Sequence, residues 1–447
     1  TEKADFFLWK ERNRRQLLFD AAGESIFCPK EPRRDGGAAM KRKEKAPPFF
    51  KERPSGPKTA EEAFAPVKET PCKPYVAKPW EKRLCLLTVL ILFPAALALH
   101  IAAKLSTPFA DWYAARVYPV LAGPVGTVTG MVPFSLTETG IVLLAAFLVF
   151  WIVRAICRRK QNRGMARRSI LRLLKRLAAA ASVLYFLFVC NFGMNYCRSS
   201  FAETAGLPVR ASTVGELKAL CAGLITRANA LSLMQERDEN GLTVYDGGDF
   251  QMARRTRDAY ADVAELYPQL TLGGETFGTP KPVLGSVFLA YGQIAGVSCP
   301  FLVEANISTA GPELLRASTM MHEQTHLAGY MREDEANFIA YLACLRSGDA
   351  YMEYSGTALA LIHAMNALHA ADPESWYLLR SAYSDGLDAD IGAQNDFVHA
   401  HDGPAAEFSD AVNDAYLKAN GQQSGSKSYG EMVDLLLAYA RSGDAAS

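Results

Sequence analysis

The chain has 447 residues and a formal net charge of +1. That length exceeds what one compact domain usually needs, and the balanced charge gives no global electrostatic case for nucleic acid, so no nucleic-acid partner is expected. Nine cysteines without a CxxC pair argue against a zinc ribbon or a disulfide-dense scaffold; one or two disulfides among Cys197, Cys221, Cys299 and Cys344 stay open.

The average charge hides a segregation. Basic residues crowd into residues 1–83 and 154–176, with apolar blocks between and after them, which is the composition of a membrane protein carrying a soluble part. Residues 1–83 are rich in Lys, Glu, Pro and Ala, bury little, and read as a flexible cytoplasmic tail. The chain opens at Thr1, and Met40 is an expected alternative start. No cleavable signal peptide is expected, because the first long apolar run begins only at Leu84.

The membrane region is expected over residues 84–197. Residues 84–103 hold no Asp, Glu, Lys or Arg and reach about 30 Å as a helix, the thickness of the hydrocarbon layer. Further spans are read at about 136–157 and 177–197. Between the first two, Val117–Thr137 is broken by Pro119, Pro124, Pro133 and several glycines. It reads as an interfacial or re-entrant segment and a poor continuous helix. Ten Lys or Arg and no acid between Arg154 and Arg176 put that loop in the cytoplasm by the positive-inside rule. Three spans then put residues 198–447 on the extracytoplasmic side of a cell membrane.

Residues 198–447 read as one soluble, mostly helical domain. Helices are expected at about Val214–Leu231, Gly248–Leu266, Pro312–Ala328, Glu333–Ser347, Ala350–Ala370, Pro373–Ser384, Ala405–Ala419 and Ser428–Ser442. Strands are expected at Val283–Leu289 and Gly296–Ile307.

The chemistry concentrates at His322-Glu323-Gln324-Thr325-His326. Two histidines four apart on a helix leave the same face one turn apart, so their rings can grip one zinc ion. Glu323 then flanks the vacant position, where it can take a proton from water. Gly329 can end this helix in a left-handed conformation. The next helix opens Glu333-Asp334-Glu335-Ala336-Asn337. A hydrolytic zinc needs a third protein ligand; Glu333 is the first choice and Glu335 the alternative. Asn337, one turn beyond Glu333, is placed to hydrogen-bond a histidine ring.

Glu333-Asp334-Glu335-Ala336-Asn337 resembles the E-x-x-A-D helix of gluzincin metallopeptidases. The resemblance implies Glu333 as zinc ligand and Asn337, standing where that family has Asp, as support for a histidine. Residues 84–441 are also similar to an uncharacterised family of bacterial membrane proteins, a domain of unknown function with a predicted zinc site. The residues that carry this likeness are Asn191–Tyr196, Pro300–Asn306, the His322–Phe338 block, Tyr416-Leu417-Lys418 and Ser428-Tyr429-Gly430.

The expected fold is therefore membrane-anchored α+β, mostly helical: three transmembrane helices followed by a zincin-like soluble domain. The expected function is hydrolysis of a peptide or protein substrate, with zinc as cofactor, Glu323 as catalytic base, and His322, His326 and Glu333 as ligands. The competing reading is a non-catalytic membrane-anchored binding or sensor module with a structural zinc. The strand at Gly296–Ile307 is a candidate to pair with extended peptide. Candidates for stabilising developing negative charge are Tyr330, Arg332, Tyr341, His363 and Tyr383. His399 and His401 near Asp402 read as a polar loop rather than a second metal site.

Overall fold

A computed structural model describes residues 79–159, 166–270, 278–422 and 431–442. The tail expected over residues 1–83 lies outside these as far as residue 78. Pro79–Arg83 belong instead to the first helix, α1 (Pro79–Leu105). Pro79 suits that start, since the first helical N–H has no intrahelical partner to lose.

Helix α2 (Thr107–Trp112) is capped by Ser106, whose Oγ accepts the Phe109 N–H at 3.4 Å. It passes through a widened turn at Tyr113–Val117 into α3 (Tyr118–Gly130). The expectation of a broken segment at 117–137 is thus corrected for residues 118–130, while the break holds at 131–135, where Pro133 lies between α3 and the next helix. Pro119 falls in the first turn of α3, where proline is tolerated, and the hydroxyls of Thr127 and Thr129 bond the carbonyls of Gly123 and Gly126. Next come α4 (Leu136–Arg159) and α5 (Ala166–Phe188), the latter prolonged by turns at Val189–Gly193 and Asn195–Cys197.

Three helical stretches are long and apolar enough to cross a membrane: Arg83–Leu105, Leu136–Arg154 and Leu173–Cys197. They match the spans read from the sequence to within a few residues. α1 and α5 pack on one another, whereas α4 is exposed on every side from Ile141 to Val153. Among the described residues nothing covers α4 over that stretch, and it is apolar all round.

The remaining elements are α6 (Phe201–Ala205), α7 (Val214–Ser232), β1 (Glu236–Arg237), β2 (Thr243–Val244) and α8 (Gly248–Leu266). Then follow β3 (Lys281–Pro282), α9 (Ser286–Tyr291), β4 (Gly296–Cys299), β5 (Glu304–Ile307) and α10 (Arg316–Leu327). The chain continues with α11 (Glu333–Arg346), α12 (Ala350–Ala371), α13 (Pro373–Arg380) and α14 (Asp385–Ala400). It ends with α15 (Pro404–Ala419) and α16 (Met432–Ser442).

Two strand expectations are corrected. Val283–Leu289 is no strand: its second half is α9, since Gly285 opens a turn and the apolar run Val287-Phe288-Leu289 lies on a short helix. Gly296–Ile307 is a hairpin, with the chain reversing between Cys299 and Glu304 and Val303 at φ 50°. β5 is central, parallel to β3 and antiparallel to β4, so β4 is an edge. The cysteines 197, 221, 299 and 344 all carry free thiols.

α11 is the axis of the helical domain. Every residue from Glu333 to Cys344 is buried, enclosed by α8, α10, α12 and α16. A second cluster joins the helical domain to the membrane-length helices: Tyr113, Tyr118 and Val189 pack with Val303, Ala305, Leu327 and Met331. The sheet is tied to the start of α4 as well. The Glu304 carboxylate accepts the N–H groups of Leu136 and Thr137 at 3.0 and 2.8 Å and pairs with the Lys281 ammonium at 2.5 Å. Burial raises the Glu304 pKa, but Lys281 and these donors outweigh it and hold it below the usual carboxylate range.

Candidate metal centre

α10 delivers His322, Glu323 and His326, and its end fixes one of the rings. Gly329 at φ +87° turns the chain back, and the Tyr330 N–H returns to the Thr325 carbonyl at 3.2 Å. The reversal aims the Tyr330 carbonyl at His326, whose Nδ1 lies 2.9 Å away. A carbonyl only accepts, so His326 Nδ1 carries the proton and its Nε2 presents a lone pair. His322 Nδ1 is 2.8 Å from Asn337 Oδ1, which orients the second ring in the same sense. Both Nε2 atoms then face one point.

Glu333, at the start of α11, closes that point. Its carboxylate oxygens lie 3.3 Å from His322 Nε2 and 3.8 Å from His326 Nε2. Ligand atoms around a tetrahedral zinc, at bonds of about 2.1 Å, stand about 3.4 Å apart. The three donors all lie within 4.8 Å of one another, and each side chain keeps 11–13% of its surface exposed. Two imidazoles and one carboxylate brought this close together form a group that could hold a metal ion. Burial lowers the His322 pKa, but Glu333, Glu323 and Asn337 together raise it above the ordinary value.

Glu335, the alternative ligand, points elsewhere. It is buried on another face of α11 and accepts the Phe201 N–H at 2.7 Å. Two residues apart on a helix, Glu333 and Glu335 cannot share a face. Burial pushes the Glu335 pKa up to about 7.

Glu323 is buried beside the three donors, and burial raises its pKa. Ser298 of the edge strand β4 donates to its Oε2 at 2.8 Å. β4 runs so close that a Cβ on Gly296 would stand 2.5 Å from Glu323 Oε1. The sequence offered Gly296–Ile307 as a strand to pair with extended peptide but singled out neither Gly296 nor Ser298; their signal lies only in tertiary contact.

The candidates for charge stabilisation disperse. Tyr330 is buried, its hydroxyl accepting from Arg198, whose guanidinium lies 4.0 Å from the ring centre. Arg332 pairs with Asp334. Tyr341 lines a recess of about 780 Å³ that holds none of the three donors. Tyr383 lies under Arg380, and His363 sits on α12. A further phenol is Tyr416 of α15, whose pKa the Glu333 charge helps to raise. It is raised to about 12 chiefly by burial and accepts a hydrogen bond from Tyr196 at 3.2 Å. His399 and Asp402 approach within 3.6 Å, while His401 Nδ1 bonds the Phe397 carbonyl. Among the described residues, the group able to hold a metal is His322, His326 and Glu333.

A mostly helical chain with three membrane-length helices and a histidine–histidine–glutamate cluster is the class that fold and site define. The chain belongs to the family described as protein of unknown function DUF3810, whose model matches residues 113–437. No curated protein and no solved structure matches it.

Proposed function

We propose that the protein is a membrane-anchored, zinc-dependent metallopeptidase of gluzincin-like design. The three apolar helices span the membrane, the basic segment 154–176 stays in the cytoplasm, and the helical domain stands outside. The observation that carries the reading is the convergence of His322, His326 and Glu333 with Glu323 alongside.

His322, His326 and Glu333 would hold the zinc. When bound, that ion supplies a Lewis acid that polarises a carbonyl and makes water more acidic. Glu323 accepts the proton of the attacking water and passes it to the departing amine. Ser298 fixes the direction of the Glu323 carboxylate, and Asn337 and the Tyr330 carbonyl hold the imidazoles in the required tautomer. The free edge of β4 offers main-chain groups to an extended peptide. Three protein donors leave a position for water, whereas a structural zinc takes four; that favours the enzyme over the binding-module reading.

The test is Glu323→Gln in the full chain, assayed on a membrane-protein peptide library. Loss of cleavage with zinc retained supports the proposal; undiminished cleavage refutes it.

A further inference from the structure

At the start of α4 the chain gathers large apolar side chains that stand exposed, and none of the described residues covers them. Leu284 and Phe288 are 96% and 83% exposed, and Val128, Met131, Phe134 and Val287 are exposed beside them in the chain segments that meet there. Three contacts bind these segments into one surface. Gly278 packs so tightly on the backbone of Gly130 that a Cβ there would collide with the Gly130 Cα. Lys281 Nζ donates to the Thr129 carbonyl at 2.8 Å. The N–H groups of Leu284 and Gly285 both donate to the carboxylate of Glu138, in the first turn of α4, at 3.0 and 2.6 Å.

The loop before α9 is thus fastened to the first turn of a helix whose next turns are apolar on every side. Apolar side chains continuous with such a helix gain about 25 cal/mol for each Å² taken out of water, and a lipid surface is the occupant that continuity with a span selects.

We infer that Val128, Met131, Phe134, Leu284, Val287 and Phe288 form a lipid-dipping collar, seating the helical domain on the outer face of the bilayer. The inference rests on the spanning role proposed for α4, not on the chemistry at the metal centre. It also deepens the peptidase reading. After α9 the chain enters β4, whose Gly296 and Ser298 touch Glu323. A collar in the headgroup layer holds that edge strand close to the bilayer, so the substrate class is polypeptide presented at the membrane surface.

The test is Phe288→Trp in the full chain, reconstituted in phosphatidylcholine–phosphatidylglycerol nanodiscs with or without dibrominated acyl chains. Leu378→Trp, at an exposed position on α13, is the control, and the parent's emission is subtracted. The inference expects the emission of the tryptophan added by Phe288→Trp to be quenched at least twofold by brominated lipid and shielded from acrylamide, with the reverse for the control. Quenching by acrylamide as strong as in the control overturns it. So does emission shielded from both quenchers, which would mean that a second copy covers the collar. The share of the parent's quenching that is lost in Trp151→Phe, on α4, reports separately whether that helix lies in lipid. Zinc content in the same samples reports on the metal centre.

Discussion

Asn337 Oδ1 stands 2.8 Å from His322 Nδ1, and that contact joins the two helices that supply the metal-binding group. Removing such a support from a ligating histidine typically lowers metal affinity by about 10–100-fold. Asn337→Ala is expected to weaken zinc binding by that amount, read by competition with a chromophoric chelator. Asn337→Asp, which keeps an acceptor at the same place, is expected to retain most of it. Equal affinity in Asn337→Ala would detach Asn337 from the site.

Gly296 is required by proximity. Its missing Cβ would stand 2.5 Å from Glu323 Oε1 and 2.6 Å from Cγ. Gly296→Ala should push the carboxylate aside, and a misplacement near 1 Å costs on the order of 100-fold in rate. The expected result is turnover reduced about that much, with zinc content unchanged. Wild-type turnover would show that β4 tolerates the methyl group and that the close approach has no catalytic meaning.

Glu333 and Glu335 should separate cleanly. Glu333→Gln is expected to lose zinc. Glu335→Gln is expected to keep it and to change the pH dependence of stability instead. The sign follows from linkage: a carboxyl whose pKa is raised to about 7 on folding binds its proton more tightly in the folded state. Its presence costs nothing below its unfolded pKa, and stability falls as pH rises from there to about 7. Glu335→Gln keeps an acceptor for the Phe201 N–H and removes that slope. It is expected to raise stability at pH 8 by about 3 kcal/mol, measured by thermal unfolding in detergent at pH 5 and pH 8. A slope that persists in the variant would assign it to other groups.

The Lys281–Glu304 pair ties the sheet to the start of α4, and both side chains are almost wholly buried. Lys281→Met leaves the Glu304 charge without its cation, which typically costs about 3–5 kcal/mol. The double variant with Glu304→Gln is expected to recover part of that loss. Equal melting temperatures for Lys281→Met and the parent chain would contradict a structural role for the pair.

The sequence makes some parts of this architecture legible and not others. The three apolar helices and most of the domain's helices show in length and periodicity, and the four-residue spacing of His322 and His326 shows their shared face. Val283–Leu289 misleads because a short apolar run has no period long enough to separate strand from helix. The hairpin at Cys299–Glu304 is hidden because Val303 at φ 50° is not a residue that signals a turn. The sequence ranks Glu333 before Glu335, and the rotation of α11 in the core is what turns Glu335 away from the histidines. The contacts of Ser298, Gly296 and Tyr416 join residues far apart in the chain, which no local pattern records.

The most direct measurement is the zinc content of the full chain purified in detergent without chelator, beside His322→Ala. The account predicts about one zinc per chain in the parent and loss of it in the folded variant. A folded parent without zinc at neutral pH, or equal zinc in both proteins, would contradict it.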